Sequence, residues 1–344
     1  MLFKIVTKDA FRKLVEKLMA SNEVVGPTKV GTNRHGKAIH QFQPIERFED
    51  MDLDFEKSAF SAKTYFLPYR ENLSRTKFKD GDWQQEITYR VQPRALVGLH
   101  ACDVNALLKL DLKGAFPNPY YLSRRRNTFV VGIDHDPCDT GFCASLGEDT
   151  VTHGFDLFLT DLGDRYFVSI DSDRGWRVLH SVPVRDITED DRRDYQDVRR
   201  RIANGFKVKL RYENIPTLLD IEFESPVWKK WGDKCLSCGS CAMVCPTCYC
   251  YGVYERISQD FSECQKVKQL YSCNLLDFAT VAGGHNFRPD RHTRLKYRYY
   301  HQHRGFMEAY DEPMCVGCNR CGDACLAGIN PPDVIHDLQE EVAP

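Results

Sequence analysis

The chain has 344 residues, a formal net charge of -2 and 15 cysteines, enough length for two domains that each bury a core. A near-neutral balance gives no general attraction to nucleic acid, and no apolar run approaches the length that spans a bilayer. The N-terminal stretch lacks the basic-then-apolar build of a secretory signal, so the cysteines are expected to be reduced thiols of a cytoplasmic protein.

Residues 1–20 are expected to form an amphipathic helix with Phe11, Leu14, Val15, Leu18 and Met19 on one face. Residues 95–99 (ALVGL) and 129–134 (FVVGID) are short β-branched apolar runs, the kind found in strands buried on both faces. Between them Asp103 is expected to cap a helix whose inner face carries Leu107, Leu108 and Leu112. Residues 155–170 alternate on both sides of Gly163-Asp164, a hairpin signature. A charged helix should follow, capped near Thr188, with Tyr195, Val198 and Ile202 inward and Gly205 as its stop. Residues 1–225 are therefore expected to form an α/β domain. They contain no G-x-G-x-x-G after a strand and no Walker A loop, so a nucleotide, if one is used, is expected to be bound by another chain.

From Ser225 the chemistry changes. Ser225-Pro226 starts a helix that brings Trp228 and Trp231 directly before Cys235; these indoles either shield a cofactor or belong to the ordinary core. Cys235, Cys238, Cys241 and Cys245, then Cys315, Cys318, Cys321 and Cys325, repeat the spacing C-x2-C-x2-C-x3-C. Thiolates placed this way hold 4Fe-4S clusters, and in the bacterial ferredoxin pattern the fourth cysteine of each run crosses to the other cluster. On that reading Cys235, Cys238, Cys241 and Cys325 hold one cubane, and Cys315, Cys318, Cys321 and Cys245 hold the second. Zinc would take two C-x2-C pairs and leave the third and fourth cysteine of each run idle. Cys241, Cys245 and Cys248 also read as C-x3-C-x2-C, the spacing of radical enzymes that bind adenosylmethionine, but too little chain follows to build a barrel. Residues 246–314 are too many for a compact bacterial ferredoxin, and residues 254–271 read as helical. Residues 226–344 are thus expected to be a mainly α-helical ferredoxin-type domain binding two 4Fe-4S clusters.

Seven cysteines lie outside the two runs. Cys102 follows one expected strand, and Cys138 and Cys143 follow another. If those strands are parallel neighbours, all three lie at the carboxyl edge of the sheet, where α/β proteins build sites. They make a third iron-sulfur site, or they are buried structural thiols. Cys248, Cys250 and Cys273 are placed to pack around the first cluster, and Cys264 has no evident role. Residues 286–306 interleave Arg288, Arg291, Arg294, Lys296, Arg298 and Arg304 with Tyr297, Tyr299 and Tyr300. Between two anionic cysteine cages, charge compensation or partner docking explains the mixture without nucleic acid. His285, His292, His301 and His303 have no metal-ligand spacing.

The words CLSCGSCAMVCPTCYC (235–250), DFATVAGGHNFR (277–288), RLKYRYYHQ (294–302) and CVGCNRCGDAC (315–325), with LHACDVNAL (99–107) upstream, resemble one family. It is the family of the sulfhydrogenase beta subunit and the anaerobic sulfite reductase A subunit, and the resemblance runs from about residue 95 to 332. Its members are iron-sulfur electron-transfer subunits, which implies that the eight cysteines of the two runs are cluster ligands. One departure is that Pro246 follows Cys245, as the ferredoxin pattern prefers, whereas Leu326 follows Cys325. The resemblance implies a non-catalytic subunit of a nickel-iron sulfhydrogenase, relaying electrons between a flavin/NAD(P)-binding subunit and the hydrogenase module. The same wiring in an anaerobic sulfite reductase is the alternative. A thiol or disulfide reductase acting at its own cluster would need an open iron, which eight ligands do not leave.

Overall fold

The computed structural model describes residues 2–33, 36–89, 91–112 and 118–341. Met1, at the head of the expected first helix, and residues 342–344 of the expected C-terminal domain fall outside them. Strand β1 (Leu2–Thr7) precedes helix α1 (Lys8–Met19), so the helix begins only where the Thr7 hydroxyl accepts from the Ala10 N–H at 3.2 Å. Its buried face is the expected one, with Phe11, Leu14, Val15 and Leu18.

β2 (Glu23–Thr32) with β3 (Ala38–Pro44), and β4 (Arg70–Lys79) with β5 (Asp82–Ile87), are antiparallel pairs. β6 (Arg94–Leu99), α2 (Ala101–Asp111), α3 (Pro119–Arg126) and β7 (Thr128–Ile133) form a crossover unit whose two strands pair in parallel, as their apolar runs require. α2 starts behind His100, so Asp103 sits inside the first turn rather than at the cap. β8 (Leu157–Asp161) and β9 (Arg165–Ile170) are the expected hairpin; Gly163 in its turn has φ 97°. α4 (Asp173–Leu179) and α5 (Glu189–Gly205) follow, the latter opened by a Thr188–Asp191 capping box.

These strands form a seven-stranded sheet in the order β1-β9-β8-β7-β6-β2-β3, parallel through β2, β6, β7 and β8 and antiparallel at both flanks. Strand alternation sends Ala95, Val97, Phe129 and Val131 to the face covered by α1, and Leu96 and Val130 to the face covered by α2. Both faces are therefore dry, which leaves the strand ends as the place for chemistry.

The C-terminal part contains α6 (Ile215–Ile221), α7 (Val227–Lys234), α8 (Ser240–Val244), β10 (Tyr251–Ile257), β11 (Glu263–Leu270), α9 (Arg291–Tyr300), α10 (Phe306–Tyr310), α11 (Arg320–Asp323) and α12 (Pro331–Glu341). A π turn, His301–Gly305, joins α9 to α10. The expectation of a helix over residues 254–271, and with it a mainly α-helical domain, is corrected here: the segment forms the hairpin β10–β11. The Asp260 carboxylate accepts from Ser258 Oγ, Ser262 Oγ and Ser262 N, fixing a reversal in which Phe261 takes φ 57°. β11 then pairs with β4 in a four-stranded antiparallel sheet, β10-β11-β4-β5. That pairing crosses the boundary expected after residue 225.

Candidate metal centre

The two cysteine runs fold as copies of one local structure. In the first, Ser237 and Gly239 are left-handed (φ 52° and 81°); in the second, Gly317 and Asn319 are (φ 68° and 53°). Each loop turns its backbone inward, so that Ser237 N–H points at Cys235 Sγ and Gly317 N–H at Cys315 Sγ, both at 3.4 Å. Such N–H groups favour a thiolate. Gly239 and Asn319 then cap the short helices α8 and α11, which carry Cys241 and Cys321. Gly317 is needed for a second reason: a Cβ there would lie 2.7 Å from backbone atoms of Phe142 and Cys143.

Two adjoining cavities result. One is lined by Cys235, Cys238, Cys241 and Cys325, together with Cys321. The other is lined by Cys245, Cys315, Cys318 and Cys321. The structure thus brings each fourth cysteine to the cavity of the opposite run. Trp228, Trp231, Leu295 and Tyr299 pack in one core with Cys235; the tryptophans are core residues behind the first cavity, whose wall includes Leu295 and Tyr299.

Burial pushes four of these thiols up: Cys241, Cys315 and Cys318 rise, and Cys321 is raised to about 11. Cys238, hydrogen-bonded by Ser240, and Cys245, hydrogen-bonded by Cys248, are lowered. The four raised thiols, neutral when bare, suit a ligand that brings its own positive charge, such as iron. Eight sulfurs in two apolar cavities fit a pair of 4Fe-4S cubanes better than zinc, whose sites close on four ligands at short range.

The basic stretch turns inward. Arg294 is buried and donates to the carbonyls of Asn274, Arg288 and Pro289 and to Ser237 Oγ; Arg291 donates to the Cys235 carbonyl. Arg298 lines both cavities and donates to Cys248 Sγ at 3.2 Å. Lys296 and Arg304 hold the Phe223 carbonyl and the Asp220 carboxylate. His303 accepts or donates at the Tyr212 hydroxyl, 2.8 Å away, with burial lowering it to about 3.

Several neighbours of the cavities carry no signal in the sequence. Asn274 donates to Cys241 Sγ at 3.2 Å. Lys63 reaches the carbonyls of Ala242 and Cys248, and Lys57 that of Cys318, from 179 to 261 positions away. Past the carboxyl ends of β6 and β7, Cys102 and Cys143 share a buried cluster with Cys318, and Cys138 acts on them only through its field. Cys273 and Cys250 form a separate hydrogen-bonded pair near Cys241. Cys264 sits on β11, paired with Thr76 across the second sheet.

The comparisons with known proteins place the site first in a class. Residues 234–329 match the 4Fe-4S dicluster domain family, so this is an iron-sulfur protein. The whole chain is 33% identical over 339 residues to sulfhydrogenase 2 subunit beta of Pyrococcus furiosus, covering 96% of each sequence. The chain belongs to the sulfhydrogenase beta-subunit family. No solved structure matches it. Among the described residues no helix is long and apolar enough to cross a membrane.

Proposed function

We propose that this chain is the iron-sulfur relay subunit of a cytoplasmic nickel-iron sulfhydrogenase, carrying single electrons between a flavin/NAD(P)-binding subunit and the hydrogenase module. The observation that carries the proposal is the exchange of fourth cysteines, Cys325 to the first cavity and Cys245 to the second. Clusters bound there supply one-electron chemistry. The chain's own residues hold the thiolates in place, exclude water and keep the two sites adjacent, since Arg298, Tyr299 and Cys321 wall both cavities. Eight ligands complete both cubanes and leave no open iron for a disulfide substrate. The name of the Pyrococcus relative favours a hydrogenase over a sulfite reductase assembly.

The proposal extends to a third iron-sulfur site at Cys102, Cys138 and Cys143. Its support is that Cys102 and Cys143 share one buried cluster with Cys318, that Cys138 lies in their fields, and that the Lys57 ammonium acts on Cys138 and Cys318.

Anaerobically purified protein should contain about eight irons with matching acid-labile sulfide, roughly four per cubane, and about twelve if the third site fills. Bound zinc without sulfide would overturn the assignment. With its clusters intact, the chain alone should not reduce a dye with NAD(P)H, and co-expression with a flavin subunit should restore turnover.

A further inference from the structure

Several buried cations in this protein are paired with carboxylates that cancel their charge. Arg320 is paired with Asp103, Arg124 with Glu71, and Lys109 with Glu148 and Glu312. Arg294 is spent on three carbonyls. Lys63, which has only carbonyl acceptors, is pushed by burial toward its neutral form.

Arg298 differs in its acceptor, which is a cysteine sulfur rather than a carboxylate or a carbonyl. Among the described residues no carboxylate pairs with it, although it is buried and cannot give up its proton. Desolvation opposes its charge, and the groups whose ionised forms would offset that cost are Cys241, Cys248, Cys321 and Cys245. Two of those cysteines are lined up with one cavity and two, counting the shared Cys321, with the other. Its Nη1 donates to Cys248 Sγ, whose own S–H is given to Cys245.

We propose that Arg298 sets the reduction potentials of both clusters together, as one fixed positive charge in the wall between them. The inference rests on the cluster reading above. Adding an electron to either cluster adds negative charge, and a cation a few ångströms away in a dry interior stabilises that reduced state more than the oxidised one. A charge shared between two sites must shift both in the same direction. A residue that only packs against the cavities would not.

The test uses the full-length protein, purified anaerobically with its clusters, in Arg298→Met, Arg298→Gln and Arg298→Lys forms. Both cluster signals are followed by EPR during a dithionite titration. The neutral variants should lower both midpoint potentials, by at least tenfold in the reduction equilibrium, which is 59 mV for a one-electron couple. Arg298→Lys, which keeps the charge, should stay closer to wild type at both clusters than either neutral variant. A neutral variant with full iron content and unchanged potentials, or with only one cluster shifted, overturns the proposal. If the neutral variants lose iron, Arg298→Lys decides: iron retained at wild-type potentials supports the role of charge, and equal iron loss shows a packing role and overturns it. Failure of the cluster reading itself is visible beforehand, as wild-type protein without acid-labile sulfide.

Discussion

Arg320 and Asp103 stand 217 positions apart in the chain and meet in a buried two-pronged ion pair, with both N–O distances at 2.8 Å. Arg320 lies between Cys318 and Cys321; Asp103 follows Cys102 at the carboxyl edge of the main sheet. Arg320 also donates to the carbonyl and hydroxyl of Ser58. The pair is therefore the bolt between the second cysteine loop and the α/β sheet.

Breaking it should be costly. Asp103→Ala leaves a buried guanidinium uncompensated, a change that typically costs about 3–5 kcal/mol. Replacing both residues, as Asp103→Leu with Arg320→Met, should recover most of that, because two apolar groups avoid desolvating charges. Anaerobic denaturation of the two variants measures this; a double variant less stable than the single one would refute it.

The crossed ligand set predicts a pattern of spectral losses. Cys238→Ser and Cys325→Ser should damage the same cluster, although the two positions lie in different runs. Cys245→Ser should instead group with Cys318→Ser. If Cys245→Ser affects the same EPR signal as Cys238→Ser, each run holds its own cluster and the crossed assignment is wrong.

Asp191 offers a pH dependence away from the metal centre. Its buried carboxylate accepts from Arg185, Thr188 and Arg165, and these bonds, that of Arg185 foremost, hold it far below the usual carboxylate range. A carboxyl whose folded value lies below its unfolded value of about 3.9 stabilises the fold at higher pH, and the contribution fades as pH falls through that value. Asp191→Asn should cost about 2 kcal/mol at pH 7, in the range for hydrogen bonds to a charged group. The gap between variant and wild type should narrow below about pH 4. A gap that stays constant down to pH 3 would exclude this account.

The local signals in the sequence read well because they depend on near neighbours. The period of Phe11, Leu14, Val15 and Leu18, the Gly163 turn, the Thr188 cap and the cysteine spacing are each decided within a few residues. What was illegible depends on partners far along the chain. Residues 254–271 carry polar residues at both helical and strand spacing; β4, almost two hundred positions earlier, decides the matter by offering an edge, and nothing local announces it. Asp103 had the composition of a helix cap, but a buried arginine claims it. The basic run around Arg298 was visible as charge, yet its direction, inward to the thiols rather than outward to a partner, is a property of the packing of α9 against α7.

Gly317 and Gly328 separate backbone strain from close approach in the second cysteine loop. Both are left-handed, with φ 68° and 66°. A Cβ at Gly328 meets nothing within 4 Å, so Gly328→Ala adds only the strain of the conformation, about 1 kcal/mol. At Gly317 the same methyl would sit 2.7 Å from the Phe142 and Cys143 backbone, where no side chain can swing aside. Overpacking should add about 1–3 kcal/mol to the strain. It should also push the loop off residues 142–143, breaking the 2.7 Å bond from Phe142 N–H to the Gly317 carbonyl. Gly317→Ala is therefore expected to lose or broaden the second cluster's EPR signal while sparing the first, whereas Gly328→Ala leaves both. Equal stability and equal spectra for the two variants would show that the loop does not rest on the backbone of residues 142–143.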